Sequence, residues 1–545
     1  MTDASTIDPG EQVTALLQRS QLAEAIQAAR DALDRGVEAP VLLNLRAYWL
    51  EGENRPGEAL SDLQRAHEMA PTDPIVLNAL GLCLAKLGRL EEANAAFRHC
   101  VALAPEFAPA HFNCGWTFEE LGELDEAQQA FEAAARIDPR SPDSMGRLAA
   151  LAARRGRWSD TRALAEKALV LAPLHPAATM ALANAEISAK SYDDAKTRLR
   201  ALIDSPQVSE QDRATAVGLF ADVLDAQARY QEAFAAYSAS NALFKSAFAG
   251  RLAARAEMPM SKYVAWLLES FESAAMPQWP PAGTRTQPQG NAPRRHIFVL
   301  GFPRSGTTLL EEVLACHPTV STTGEKDAFA GIARELLANP ARLAQLKALG
   351  PADVTAFRQK YWNVLRGFGI SFEDRILVDK QPFNSVRLPL IAKLFPEARI
   401  VFCLRDPRDV VLSCFRRRFS ANAANAEFLT LDGTAKLYDA VMRLVAVYRA
   451  KLPLACHELR NEDLVADFDG QLRALCTFMD VEWTEEFRNF AARSGGRQVI
   501  TPSATQIQRG LGGESIGHWR EYEADMAAVL PLLNGWAKQL NYNAN

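Results

Sequence analysis

The sequence predicts two architectures in series. An all-α superhelix of helical repeats comes first, and an α/β domain with a P-loop-like parallel sheet and helices on both faces follows. Three observations predict this. Prolines recur through the first half at Pro71, Pro105, Pro139 and Pro173, each 34 residues from the last. In the second half two short apolar runs, residues 296–300 and 398–404, each feed a polar loop and then an amphipathic stretch. Between the halves, residues 277–294 carry Pro277, Pro280, Pro281, Pro288 and Pro293, the composition of an extended linker.

The bulk properties bound the answer. A chain of 545 residues, 48% hydrophobic and 23% charged, is globular material for several domains. No apolar run is long enough to span a bilayer, and Met1-Thr2-Asp3-Ala4 lacks the basic and apolar regions of a signal peptide. The eight cysteines are scattered without a CxxC or a Cys/His pair at metal-ligand spacing, so they read as buried thiols in a reducing cytoplasm. The net charge of −6 is uneven: residues 1–250 carry −11 and the remainder +5. An acidic half joined to a basic half suggests two tasks, with the basic half suited to an anionic ligand. Neither half is basic enough for nucleic acid.

The repeat has three registers. Besides the prolines, Ala25, Ala59, Ala93, Ala127 and Ala195 keep step, with Thr161 at the missing beat, and Gly88, Gly122 and Gly156 add a third series. A small alanine lets two antiparallel helices cross closely. A glycine suits a turn that needs positive φ, and a proline ends a helix and starts the next unit. This pattern resembles the tetratricopeptide repeat over about residues 10–245. The resemblance implies an all-α tetratricopeptide superhelix whose concave face binds a peptide or partner; a spacer or dimerisation role is the alternative. Residues 246–293 are expected to form a connecting helix and linker, and 294–545 the second domain.

That domain opens on a phosphate loop. The strand at 296–300 leads into Gly301-Phe302-Pro303-Arg304-Ser305-Gly306-Thr307-Thr308 and then an amphipathic helix, an arrangement that points free N–H groups at a phosphate. Gly301, Gly306 and Thr308 fit the spacing GxxxxGK[ST], but Thr307 stands where the lysine belongs. A triphosphate is therefore disfavoured, and Arg304 offers a planar fork for one phosphate or sulfate group.

A second anion site is read at Arg405-Asp406-Pro407-Arg408, where Asp406 caps a helix with Pro407 at its first position. Ser413 and Arg417, four residues apart, are expected on one face of it, with Arg405 beside them. A solvated basic helix is the alternative. Two anion sites on one doubly wound sheet describe a nucleotide with phosphates at both ends of its ribose.

On these motifs, residues 294–522 resemble the sulfotransferase family that uses 3'-phosphoadenosine 5'-phosphosulfate, and within it the tyrosylprotein sulfotransferases. The resemblance implies that Arg304, Ser305, Gly306, Thr307 and Thr308 hold the 5'-phosphosulfate and that Arg405, Ser413 and Arg417 clamp the 3'-phosphate. It implies Glu325 as the base, Lys380 as the cation on the leaving group and Ser503 as a late-loop contact to the cofactor near the sulfate. The implied product is adenosine 3',5'-bisphosphate, and no clustered metal ligands suggest a metal. Two departures stand out. Asn461 occupies the place of the family's adenine-contacting tyrosine, and His518 that of a common basic residue.

A surface carboxylate beside Lys326 is the plain alternative for Glu325, and a loop lysine paired with Asp379 the alternative for Lys380. The expected function is sulfuryl transfer to a hydroxyl, with the array recruiting the acceptor. A peptide tyrosine, a glycan, a lipid and a small phenol all remain open as acceptors, as does oligomeric state. A repeat scaffold with a degenerate nucleotide domain is the second hypothesis, and a nucleotide kinase the third.

Overall fold

Helices in the first half stop two positions short of each periodic proline: Pro56–Met69, Leu90–Leu103, Leu124–Ile137 and Trp158–Leu171. Their partners, Pro40–Gly52, Pro74–Lys86, Ala108–Leu121 and Pro142–Arg154, complete four hairpins. Gly88, Gly122 and Gly156 sit in the connecting turns at φ 76°, 80° and 67°, a left-handed backbone that favours glycine. The in-phase alanines and Thr161 are fully buried. A further register emerges from the packing. A Cβ on Gly81 would lie 2.5 Å from the ring of Phe97, and one on Gly115 2.7 Å from Phe131. Each glycine is therefore a notch for the aromatic ring of its partner helix, repeated 34 residues on.

The computed structural model describes residues 8–255, 258–272, 279–284, 292–417, 423–491 and 516–542. They form two compact units: Met1–Ala153 with Arg157–Ala185, and Arg154–Gly156 with Glu186–Asn545. The last repeat helices, Tyr192–Asp204, Glu210–Ala226 and Tyr230–Arg255, thus belong to the same unit as the sheet. No described helix is long and apolar enough to cross a membrane.

The sheet has five parallel strands: β1 Arg295–Gly301, β2 Val320–Thr322, β3 Ile376–Lys380, β4 Arg399–Leu404 and β5 Ala455–Arg460, in the order β2-β3-β1-β4-β5. Side chains alternate between two cores, as the pleat requires. Phe298, Leu300, Leu377 and Phe402 join one, with Phe329 and Phe395. Ile297, Val299, Val378 and Val401 join the other, with Leu310 and Val313. Helices accordingly cover both faces. The short β2 has no apolar run in the sequence to announce it. Counting it, the strand before Asn461 is the fifth. Register pairs Val299 with Lys380 and Gly301 with Cys403, so the carboxyl ends of β1, β3 and β4 lie side by side.

Filling a repeat notch should cost stability. Gly81→Val is expected to lower the midpoint of denaturant unfolding, by about 1–3 kcal/mol. Gly57→Ala, whose Cβ would meet nothing within 4 Å, should leave the midpoint unchanged or raise it slightly.

Candidate active site

An open α/β sheet takes its ligands in the crevice beyond the carboxyl ends of its strands. At the end of β1 the chain passes very close to β4: a Cβ on Gly301 would lie 2.7 Å from the carbonyl oxygen of Cys403. The loop then turns through Arg304 at φ 72° and Gly306 at φ 91° before the helix Thr307–Leu314. Ser305, Thr307 and Thr308 are buried at that helix start. A left-handed arginine costs about 1–2 kcal/mol of backbone strain, and such strain gathers at ligand sites.

Arg304 is itself buried, and its Nε donates to Ser413 Oγ at 2.9 Å. Arg405, following β4, donates from Nη1 to the Arg304 carbonyl at 3.4 Å. Burial first, then the charge of Arg417 and that of Arg405, push the Arg304 guanidinium down to about 9. An arginine holds its proton at ordinary pH. The direction of the push reflects burial of a cation beside other cations.

The helix Pro407–Arg416 starts as the sequence predicts, with the Asp406 side chain accepting from the Arg408 N–H. Arg417 departs from expectation. It is the residue after the helix, extended at φ −101°, ψ 141°, so it does not share a helical face with Ser413. Its Nη1 lies 3.9 Å from Asp222 Oδ2, because the chain must leave the helix where acidic side chains from Glu210–Ala226 meet it.

Lys380 is the last residue of β3 and fully buried. Its Nζ lies 2.5 Å from Glu325 Oε1 and 3.1 Å from Glu311 Oε2. Burial alone would lower its pKa, but the two carboxylates outweigh this and raise it. Lys380 is thus a charged ammonium between two acids and not a loop lysine paired with Asp379. Glu325 is held in a turn beyond β2, at φ 67°, after Gly324 at φ 61°. Lys326 points elsewhere, donating to the Phe368 carbonyl at 3.2 Å.

Two acidic residues of this region were not legible as site residues. Glu311, on the phosphate-loop helix, accepts the Gly324 N–H at 2.9 Å with one oxygen and faces Lys380 with the other. Burial raises its pKa, while Lys380 and the Gly324 N–H oppose the rise. The only signal was a pair of adjacent carboxylates, Glu311 and Glu312, in a short amphipathic helix. Asp379 is buried beside Lys380 and accepts from the Tyr361 hydroxyl, which also meets His296 Nε2 at 3.2 Å. Burial pushes Asp379 up to about 7.

Asn384 is buried in the loop after Lys380, within 3.2 Å of Arg387 Nη1. Asn461 packs against the phosphate loop: its Oδ1 stands 2.6 Å from where a Cβ of Gly306 would be. His518 Nε2 lies 3.0 Å from Asp225 Oδ1. Ser503 lies outside the described residues.

Residues 296–485 match the family model described as the sulfotransferase family. Residues 11–74, 50–106 and 86–153 match tetratricopeptide repeat models. An uncharacterized protein of Aquifex aeolicus is 25% identical over 361 residues, 64% of this chain and 45% of its own. The chain thus spans less than half the length of that relative. Protein-tyrosine sulfotransferase A of Caenorhabditis elegans is 24% identical over 265 residues, 46% of this chain and 67% of its own. Among solved structures, a tetratricopeptide repeat protein from Parabacteroides merdae is 15% identical over 43% of this chain and 91% of its own, with a TM-score of 0.35. Residues 296–485 are thus similar to the sulfotransferase family, and matches to tetratricopeptide repeats precede them.

The Asp379 shift carries a signed consequence. Its folded pKa lies near 7 against an ordinary 3.8, so the unfolded chain loses this proton first. Stability is highest below about pH 4 for this group and falls as pH rises towards 7. Asp379→Asn, which keeps an acceptor for Tyr361, should remove that fall. Denaturant unfolding at pH 5 and pH 7.5 should then show the variant gaining on the wild type at the higher pH.

Proposed function

We propose that the chain is a sulfotransferase that moves a sulfuryl group from 3'-phosphoadenosine 5'-phosphosulfate to a hydroxyl acceptor. One observation carries the reading. A carboxylate–ammonium pair, Glu325 with Lys380 at 2.5 Å, shares the crevice with a buried arginine, Arg304, that bears the charge of Arg417 and Arg405. Such a site has a base on one side and a cradle for oxyanions on the other, which is what sulfuryl transfer requires.

The donor, when bound, supplies the sulfuryl group, whose bond to the bridging oxygen breaks as the bond to the acceptor oxygen forms. The chain's own residues do the rest. The loop N–H groups of residues 304–308 and the Arg304 fork bind the 5' end, with Ser503 as a further contact. Arg405, Ser413 and Arg417 bind the 3'-phosphate. Glu325 takes the acceptor hydroxyl proton on a carboxylate oxygen, and Lys380 offsets negative charge on the leaving oxygen. Glu311 keeps Lys380 charged and in place when Glu325 turns to the acceptor. No metal ion is assigned a role.

Residues 294–545 form the catalytic domain in this reading, and the array at 10–245 presents an acceptor to it. A peptide tyrosine is the favoured acceptor, in line with the printed name of the Caenorhabditis elegans relative. Seven of the eight cysteines are buried as separate thiols, which supports a cytoplasmic setting.

The test has two arms. Full-length protein incubated with the donor and a cell extract should add the mass of one SO3 group to a component of that extract, and Glu325→Gln should lose this while still binding adenosine 3',5'-bisphosphate. Arg304→Met should weaken binding of adenosine 3',5'-bisphosphate. It should also lose the stabilisation of about 2.7 kcal/mol that a hundredfold excess of bisphosphate over its Kd gives the wild type. No mass gain with any fraction, or a Glu325→Gln variant as active as the wild type, would sink the proposal.

A further inference from the structure

Three consecutive residues end the helix that carries Ser413, and each is touched by the last repeat hairpin, Glu210–Ala226 with Tyr230–Arg255. The Phe415 carbonyl accepts from Asn241 Nδ2 at 3.0 Å, and its ring lies 5.2 Å from that of Phe234. Arg416 Nη2 meets Asp225 Oδ2 at 2.5 Å and the Tyr237 hydroxyl at 3.1 Å. Arg417 Nη1 faces Asp222 at 3.9 Å. Hairpin and sheet lie in one compact unit.

Asp225 does more than pair with Arg416. Its other oxygen, Oδ1, meets His518 Nε2 at 3.0 Å and accepts from the Tyr522 hydroxyl. The same late segment is bound to the start of the Ser413 helix, where Asp409 accepts the N–H of Gly517 at 2.6 Å and that of Trp519 at 3.0 Å. The helix is therefore held at both ends, and Asp225 joins the two holds. Burial works to raise the Asp225 pKa, yet His518, Arg416 and Tyr522 together bring it to about 2, so the residue is ionised at any working pH.

We infer that the last repeat hairpin is a structural half of the 3'-phosphate clamp, with Asp225 as a positioning residue and Asn241 as its support. The inference rests on the proposed reading of Arg405, Ser413 and Arg417 as that clamp. Anchoring Arg416 fixes the helix end, which sets Ser413 one turn before it against Arg304 at 2.9 Å. It also sets the direction in which Arg417 leaves the helix. His518 is spent on Asp225 and supplies no free charge to a nucleotide. The hairpin acts on the donor through these contacts, in addition to whatever the rest of the array binds.

The experiment compares two nucleotides on the full chain by calorimetry: adenosine 3',5'-bisphosphate and AMP, which lacks the 3'-phosphate. The wild type should prefer the bisphosphate. Asp225→Asn should lower that preference about tenfold, with affinity for AMP unchanged. Asn241→Ala should move the ratio in the same direction by less, and it carries the test if Asp225→Asn does not fold. A purely structural contact would weaken both nucleotides alike or neither, and either result overturns the inference. If the wild type does not prefer the bisphosphate, the clamp reading falls first and takes this inference with it. If the wild type prefers it and both variants keep the full preference, the clamp reading stands and the hairpin's role alone is lost.

Discussion

Gathering like charges in a water-poor crevice is unfavourable, and the architecture of the second unit accepts that cost around Arg304. Its guanidinium is buried, bears the field of Arg417 and Arg405, and sits on a left-handed backbone. A few ångströms along the same sheet edge the opposite holds. Lys380 is buried too, but two carboxylates surround it. The crevice is thus divided between a carboxylate–ammonium cluster at the end of β3 and an arginine cluster beyond the ends of β1 and β4. Parallel register produces the division, because it sets the ends of β3, β1 and β4 next to one another.

Close packing makes the division rigid. Gly301 permits the approach of β1 to β4, and Gly306 permits Asn461 to rest on the phosphate loop. An asparagine in that place reaches the loop as a larger aromatic ring would not, given the 2.6 Å between its Oδ1 and the position of a Gly306 Cβ. Position 461 therefore braces the loop in this chain. Glu311 adds a second brace, tying the Gly324 N–H to the helix that the loop begins. Both braces act on backbone conformations that L-residues adopt reluctantly.

Features written along the chain were legible in the sequence. The proline, alanine and glycine registers gave the helical hairpins, and the loop from Gly301 to Thr308 marked the end of β1. Arg405 directly follows an apolar run, a local signal of a strand end, and β4 stops one residue before it. Features that exist only through space were not. β2 is three residues long and is defined by pairing with β3. Glu311 looked like one more carboxylate until the turn at Gly324 folded back onto it. Arg417 was expected on a helical face because nothing in its neighbourhood in sequence announces Asp222, and the helix ends one residue earlier. The gathering of the last repeat helices with the sheet has the same origin, since Asp225 and Arg416 are 191 residues apart.

The uneven charge of the chain takes on a different meaning in this light. An acidic first half and a basic second half suggested two separate tasks, yet the boundary between them is crossed by ion pairs. Asp222 and Asp225 belong to the acidic part and stand against Arg417 and Arg416 of the basic part. Arg416 is half-buried and matched by Asp225, so it adds little field to the crevice. Arg304 donates to the Ser413 hydroxyl and bears the charge of Arg417 and Arg405. The acidic hairpin thereby offsets selected arginines at the end of the Ser413 helix. A basic patch left unsorted would attract anions of any shape, whereas neutralising selected members leaves a charge pattern with the dimensions of one ligand.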